Sequence, residues 1–159
     1  MIVFGQNVNV PDANFKAYLV GNTAINTNGD TEIQVSEGTA YNGGISCINM
    51  NIADLIGIEA FTALTYLECY DNQLTSLDVS QNSALTFLDC SYNQLTSLDL
   101  RNVFNMNFFE VYATGNPNLF CIDVDDPIWA TASLFDDNWE FFQIDSWTIF
   151  SSNCTTALG

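Results

Sequence analysis

The residues with the clearest chemical pattern lie in the segment from Asn26 to Glu37. Oxygen-bearing side chains occupy its positions 1, 3 and 5, as Asn26, Asn28 and Asp30, and Glu37 occupies position 12. EF-hand calcium loops space their ligands in this way, and the carbonyl of position 7, here Glu32, supplies a further ligand. The spacing therefore predicts a Ca²⁺ site in this loop.

Two departures from the EF-hand pattern weaken this prediction. Thr31 stands at position 6, where the turn favours glycine, and two of the side-chain ligands are neutral asparagines. Fewer charges place such a loop in the weak range, with a Kd of about 10⁻⁴ to 10⁻³ M. The alternative is a metal-free cap in which the Asn and Asp side chains hydrogen-bond their own backbone. Both readings stay open at this point.

A 21-residue unit that occurs twice in tandem predicts the fold around this loop. LTYLECYDNQLTSLDVSQNSA runs from 64 to 84, and LTFLDCSYNQLTSLDLRNVFN runs from 85 to 105. Leucine, cysteine and asparagine positions coincide in the two copies, which is the leucine-rich repeat pattern of a short strand followed by convex backbone. A solenoid of this kind is generally a binding surface.

Weaker copies flank the two exact repeats, and both ends of the chain are caps. Four coils are enough for a stable stack. The sequence thus predicts an α/β leucine-rich repeat solenoid with a short parallel β-sheet on the concave face and an irregular convex side. We divide its one cooperative domain into a helical EF-hand-like cap (1–41), four repeats (42–63, 64–84, 85–105 and 106–122 onwards) and an aromatic C-terminal cap (123–159).

Composition excludes several classes of function. The 159 residues include 2 basic and 19 acidic side chains and no histidine, for a formal charge of −17. Such a charge repels nucleic acid and anionic membranes and favours cations or basic partners. The missing histidine excludes His-dependent triads and zinc hydrolase sites. With no apolar run near 18 residues, we expect no membrane insertion.

The concave face is the predicted recognition surface, because alternate residues of each strand point outward. The repeats predict an aromatic column, an acidic column and a mixed column. Their members are Tyr66, Phe87 and Phe108; Glu68, Asp89 and Glu110; and Tyr70, Ser91 and Tyr112, with Asp71 and Tyr92 beside them. This alignment places Phe109 and Val111 in the columns of Leu67 and Cys69.

Together these motifs resemble a known family. The LTxLxCxxNQLTSLDVSxNxA units, the entry VPDANFKAYLVGNTAINTNGDTEIQVSEGTA and the exit GNPNLFCIDVDD are similar to secreted leucine-rich repeat proteins of Bacteroidetes-type bacteria. The architecture is similar to that of the internalins, whose arrays begin with an EF-hand-like helical cap. The resemblance implies recognition outside the cell or at the bacterial surface, and it supplies no catalytic residue.

The five cysteines fall into two groups. Cys47, Cys69 and Cys90 recur once per coil, and we expect free thiols buried as small hydrophobes, since one Cys per coil does not make a metal site. Cys121 and Cys154 lie outside this column, and in a secreted chain they are candidates for a disulfide that closes the C-terminal cap. The aromatic residues of that cap are expected to bury the open end of the solenoid.

Two function classes remain. The first is a non-enzymatic extracellular binding or adhesion module that recognises protein through the concave face. The second is a carbohydrate-binding accessory module of a secreted polysaccharide-utilisation system, because rows of Tyr and Phe beside carboxylates suit sugars. Catalysis is not expected, since a shallow sheet offers no enclosed pocket.

Overall fold

The computed structural model describes residues 5–101, 110–134 and 142–157. Within these ranges the chain winds through two stacks of short parallel strands. The first sheet contains β1 (Gly44–Ser46), β2 (Tyr66–Glu68), β4 (Phe87–Asp89), β6 (Glu110–Tyr112) and β8 (Phe142–Gln143), in that order. The second contains β3 (Ser76–Asp78), β5 (Ser97–Asp99), β7 (Cys121–Asp123) and β9 (Ile149–Ser151), also in that order. Each described coil after the first therefore contributes one strand to each sheet, as in a solenoid, while the first coil contributes only β1.

Short helices close the two ends. They are α1 (Ala13–Gly21), α2 (Val35–Ala40), α3 (Pro127–Ser133) and α4 (Cys154–Ala157). Asp12 caps α1, because its Oδ1 accepts the N–H groups of Asn14 and Phe15 at 2.9 Å each. Its Oδ2 accepts the N–H of Ala53 at 2.8 Å. The same carboxylate therefore joins the N-terminal cap to the first coil.

The core lies between the two sheets. The middle residue of each strand in the first sheet is buried, and register stacks Leu67 on Leu88, Leu88 on Val111 and Val111 on Phe142. The second sheet stacks Leu98 on Ile122 in the same way. Because successive strand residues point to opposite faces, the residues on either side of these positions face outward. The repeated leucines thus build one continuous core.

Buried asparagines connect successive coils. The Nδ2 of Asn72 donates to the carbonyls of Cys47 and Cys69, while its Oδ1 accepts the N–H of Ile52. Asn93 and Asn116 make the corresponding bonds one and two coils later. These amides satisfy backbone groups that would otherwise be buried without partners. The repeated Asn position is therefore structural.

The opposite side of the solenoid is more regular than the sequence predicted. An irregular convex side was expected, but the SLD segments of the exact repeats pair in parallel as β3 and β5. The register joins Ser76 to Ser97 and Asp78 to Asp99. The physical reason is that Leu77 and Leu98 are buried with exposed serines before them, an alternation that suits a strand.

The fourth coil is out of step with the predicted alignment. Strand β6 pairs Phe87 with Glu110 and Leu88 with Val111, so the offset is 23 residues instead of 21. Val111 therefore belongs to the Leu67 column, and Ala113 follows it as a buried residue. The placement of Val111 in the Cys69 column is wrong, and Phe109 lies outside the described residues. The two extra residues precede the strand, where the repeat pattern is weakest.

The C-terminal cap is held by the predicted disulfide. Cys121 and Cys154 are bonded, with their Cα atoms 5.7 Å apart. Nearby, the side-chain carboxylate of Asp145 accepts the N–H groups of Gly115 and Asn116, at 3.1 and 2.9 Å. Phe142 and Phe150 pack edge to face with ring centroids 4.9 Å apart and cover the end of the core. The bridge is confirmed. Phe142 and Phe150 are buried as expected, but Trp129 and Trp147 are 41% and 49% exposed, so these two rings do not bury the end of the solenoid as the sequence predicted.

Candidate functional site on the first sheet

Two aromatic rings stack on the outward face of the first sheet. Tyr66 and Phe87 are register partners on β2 and β4, and their ring centroids lie 4.4 Å apart at an interplanar angle of 13°. Tyr112 on β6 extends the row, 5.6 Å from Phe87 and tilted by 38°. All three side chains are partly exposed. They form a continuous aromatic row across three coils.

An acidic pair lies beside this row. Glu68 and Asp89 are register partners, so their backbones are one strand spacing apart, about 4.8 Å. Two like charges at that separation repel by about 1 kcal/mol in water and by about 3 kcal/mol at an effective dielectric of 20. Ser46 offsets part of this repulsion, since its Oγ donates to Glu68 Oε2 at 2.8 Å. A cationic partner would offset the rest of the repulsion between Glu68 and Asp89.

Tyr66 interacts electrostatically with both members of the acidic pair. A hydrogen bond to Glu68, with burial and the charge of Asp89 adding to it, raises the pKa of Tyr66 to about 12. Its phenol therefore stays protonated at physiological pH and serves as a donor. The face thus combines aromatic rings, hydroxyl groups that include the Tyr66 phenol, and two carboxylates.

The shifted register of the fourth coil changes the predicted columns. Glu110 stands next to Phe87, and Tyr112 stands next to Asp89. The prediction that Glu110 continues the acidic column and Tyr112 the mixed column is therefore wrong. The aromatic row crosses the sheet diagonally instead of following one column. Phe108, the third member of the predicted aromatic column, lies outside the described residues.

Tyr92 occupies a strained corner at the end of the third coil's strand. Its φ of 53° is in the left-handed region, as are those of Asn49, Asp71 and Gly115 at the equivalent corners. A bulky residue there costs about 1 to 2 kcal/mol relative to glycine. The Tyr92 ring is 67% exposed and lies against Gly115, where a Cβ would meet the ring at 2.8 Å. Tyr92 thus adds an exposed ring at the rim, while Tyr70 lies partly buried in the coil before it.

The predicted calcium loop makes its own hydrogen bonds. Asn26 Oδ1 accepts the N–H of Gly29, Asn28 Oδ1 accepts that of Asp30, and Asp30 Oδ1 accepts that of Glu32. Lys16 Nζ lies 2.7 Å from Glu32 Oε1. The left-handed residue of this loop is Gly29 with φ 72°, two positions before the Thr31 site where an EF-hand loop places its glycine.

Glu37 closes this loop through hydrogen bonds to its backbone and to Thr27. Its Oε1 accepts the N–H and the hydroxyl of Thr27, at 2.8 and 2.9 Å, and the N–H of Asn28, while Oε2 accepts the N–H of Gln34 at 3.0 Å. Burial opposes ionisation of this carboxyl, but the hydrogen bonds from Gln34, Thr27 and Asn28 hold its pKa below the ordinary value. N–H and O–H donors therefore stabilise the negative charge of the Glu37 carboxylate.

The oxygens of the predicted calcium ligands make hydrogen bonds within the loop. Ca²⁺ takes six to eight oxygen ligands around one point. Here Asn26, Asn28, Asp30 and Glu37 each accept at least one backbone N–H of the loop. Binding would require Glu37 to release the amides that it holds. Calcium in this loop stays a prediction of the sequence alone.

The predicted cysteine column is present. Cys47, Cys69 and Cys90 are free thiols with no exposed surface, and each lies one coil from the next. Burial raises the pKa of Cys47 to about 12, and it raises the pKa values of the other two well above the ordinary range. Deprotonation is needed for nucleophilic or metal chemistry, so these thiols act as core residues. Both the free state and the burial were expected.

Ser46 is one contributor to the face that sequence reasoning did not single out. It stands in register with Glu68 on the weak first repeat. The available signal was the spacing of 22 residues that also relates Cys47 to Cys69.

No helix in the described ranges is long and apolar enough to cross a membrane.

The fold and the outward face together define a capped leucine-rich repeat solenoid. No protein-family model matches the chain. Among curated proteins, internalin J of Listeria monocytogenes serotype 4b (strain F2365) is 51% identical over 39 residues, which are 24% of this chain and 4% of that protein. The likeness is therefore local in sequence.

Solved structures extend the likeness to most of the chain. The functional domain of InlJ from Listeria monocytogenes, described as including a cysteine ladder, matches with a TM-score of 0.55 and 30% identity over 78% of this chain and 29% of that one. The internalin InlF from strain 4b F2365 matches with a TM-score of 0.58 and 18% identity over 92% of this chain and 40% of that one. The chain has an internalin-like leucine-rich repeat fold and spans less than half the length of each of these three matched proteins or domains.

Proposed function

We propose that this chain is a non-enzymatic binding or adhesion module, secreted or held at the surface of a bacterium, that recognises a protein through the outward face of the first sheet. The observation that carries the proposal is the aromatic row of Tyr66, Phe87 and Tyr112 beside the acidic pair of Glu68 and Asp89. Ordered aromatic residues that stay partly exposed are typical of recognition surfaces. The internalin-like fold supports the same class of function.

The chemistry of the face favours a partner with basic side chains. Both basic residues of the chain are already paired, Lys16 with Glu32 and Arg101 with Asp99. Glu68 and Asp89 are left to attract an external cation, and the adjacent rings suit the hydrocarbon part and the charge of Lys or Arg. Electrostatic attraction of this kind raises the association rate and selects the partner's charge.

The carbohydrate-binding alternative has weaker support. Sugar platforms present the flat faces of aromatic rings. Here Tyr66 and Phe87 stack at 13°, so each ring covers one face of the other. Asp89 and Glu68 still offer acceptors for sugar hydroxyls, and the alternative therefore needs its own arm of the experiment.

The test is to probe two arrays with the purified chain, one of extracellular proteins and one of glycans. We expect discrete protein hits that weaken as salt concentration rises, because ionic attraction is screened. Several related glycan hits with no protein hit would replace the proposal by its alternative. Turnover of any arrayed substrate would contradict the non-enzymatic assignment.

A further inference from the structure

A groove opens between the first and second coils on the side of the second sheet. It encloses about 410 Å³ and is lined by Asp54, Ile56, Glu59 and the whole of β3. The two coils are still hydrogen-bonded at one end of it, where the N–H of Gln73 donates to the carbonyl of Ile52 at 2.8 Å. The coils meet again at Asn82, whose Nδ2 donates to the carbonyls of Ile58 and Phe61 at 2.8 and 3.0 Å, and the groove lies between these contacts.

The separation has a local cause in the first coil. Gly57 has a φ of 105°, and a Cβ there would come within 2.8 Å of Val10 in the N-terminal cap. The backbone at this point therefore packs on the cap. A 3₁₀ turn, Ile58–Ala60, follows it. One extra residue near Gly57 is the sequence signal of this change.

Strand β3 is consequently an edge strand. The second sheet begins with it, and within the described residues it pairs only with β5. The outer edge of a strand presents backbone N–H and C=O groups that can pair with an added strand. In the coils that follow, the strand of the preceding coil covers that edge.

The side chains around the groove alternate in a way that suits an extended peptide. Leu77 is buried at 4% exposure, while Ser76 and Asp78 on either side of it face outward. Ile56 is 49% exposed beside the groove and offers an uncovered aliphatic surface. A strand added here would place alternate side chains over Ile56 and beside Asp78.

The charged residues that line the groove are all acidic, although Arg101, paired with Asp99, also interacts with the charge of Asp78. Asp54, Glu59 and Asp78 each accept one N–H of their own turn, from Ile56, Gly57 and Ser80 respectively. Within the described residues, no protein donor is assigned to the second oxygen of these carboxylates. Neither of the two basic residues of the chain lines the groove.

We propose that this groove is a second binding site, which accepts an extended, basic segment of a partner protein as an additional strand on the free edge of β3. Lysine or arginine at alternate positions pairs with the three carboxylates, and an aliphatic residue between them covers Ile56. Backbone pairing supplies the affinity, and the alternation of side chains supplies the specificity. The site is separate from the aromatic row on the first sheet.

The probe is the blocked peptide acetyl-Lys-Val-Lys-Val-Lys-amide, titrated into the full chain. Because the chain is strongly acidic, charge alone attracts any cationic peptide, and two controls isolate the groove. The first is the same peptide N-methylated at alternate backbone nitrogens, which keeps its charge and cannot pair as a strand. The second is a pair of charge-matched triple variants, D54N/E59Q/D78N in the groove and D30N/D125N/D126N at exposed positions away from the groove and from the first sheet.

We expect the unmodified peptide to bind and to slow amide hydrogen exchange at Ser76–Asp78. The groove variant should weaken binding about tenfold, and the matched variant less than about twofold, because distant exposed charges contribute little. Asn and Gln keep an oxygen for the turn N–H groups, so folding should be preserved. No binding, equal binding of the N-methylated peptide, or equal loss in both variants would overturn the proposal. Protection of Ser76–Asp78 that depends on protein concentration alone would instead identify the occupant as a second copy of the chain.

Discussion

The side-chain amide of Asn93 donates to the carbonyl oxygen of Cys69, one coil back, at 3.1 Å. The same amide bonds the carbonyl of Cys90, and its oxygen accepts the N–H of Leu74. One side chain therefore satisfies backbone groups of two coils in the dry core. The cohesion of the solenoid depends on this position as much as on its leucines.

The first prediction concerns that asparagine. Asn93→Ala leaves several buried backbone groups without partners and should lower the free energy of unfolding by about 2 to 4 kcal/mol. The neighbouring exposed Gln94→Ala should change it by less than about 0.5 kcal/mol. Urea denaturation followed by circular dichroism measures both. Equal stability of the two variants would contradict the structural role of Asn93.

The second prediction concerns the disulfide between Cys121 and Cys154. A bridge closing a loop of 33 residues stabilises the folded state by about 3 to 4 kcal/mol in the loop-entropy model. We expect reductant to lower the Tm of the native chain and to leave a C121S/C154S variant unchanged. Thiol titration in denaturant should count three thiols before reduction and five after it. Five thiols in the unreduced chain would exclude the bridge.

The third prediction uses the lowered pKa of Glu37. A carboxyl whose pKa is lower in the folded than in the unfolded chain stabilises the fold above the unfolded value, about 4.3, and this contribution is lost as pH falls through the folded pKa. Glu37→Gln should therefore destabilise the chain by about 1 to 3 kcal/mol at pH 7, and the difference should shrink near pH 3. Glu110→Gln, at an exposed position, is the control. If Glu37→Gln lowers the free energy of unfolding by the same amount at every pH, the ionised carboxylate is not the source of the stabilisation.

The fourth prediction addresses calcium in the loop from Asn26 to Glu37. A bound ion at ten times its Kd would stabilise the fold by about 1.4 kcal/mol. Because Glu37 already holds four donors, we expect millimolar Ca²⁺ and Mg²⁺ to raise the Tm equally, through screening of the charge of −17. Thermal melts at matched ionic strength decide this. An advantage of Ca²⁺ over Mg²⁺ that disappears in Glu37→Gln would instead establish the calcium site.

Much of the fold could be read from the sequence because the two exact repeats carry it. Identical spacing of Leu67 and Leu88 fixed the register of β2 and β4, and the position of Cys121 and Cys154 outside the repeats indicated their bond. Asp12 immediately before helix α1 is a residue type typical of a helix N-cap, and the structure uses it as one. In each case local pattern and tertiary packing require the same residues.

The other features of the fold and the site depend on interactions that cannot be inferred from the spacing of residues in the sequence. The oxygens of Asn26 and Glu37 match calcium ligands in position, but hydrogen-bond geometry directs them to the loop's own donors. The register of Glu110 depends on how the chain between 101 and 110 joins two coils, and repeat alignment has no information there. The groove at β3 follows from the packing of Gly57 on the cap, a contact between distant segments.

The central claim is recognition through the aromatic row and the acidic pair, and paired variants on a protein array test it most directly. Tyr66→Ala with Phe87→Ala removes the stacked rings, Glu68→Gln with Asp89→Asn removes the charge, and Ser83→Ala with Gln94→Ala changes exposed residues elsewhere. We predict that proteins bound by the native chain are retained by the third variant and weakened at least tenfold by the first two, since central aromatic and charged contacts carry most of an interface's affinity. Retention of every bound protein by the first two variants, with their folding intact by circular dichroism, would contradict the account.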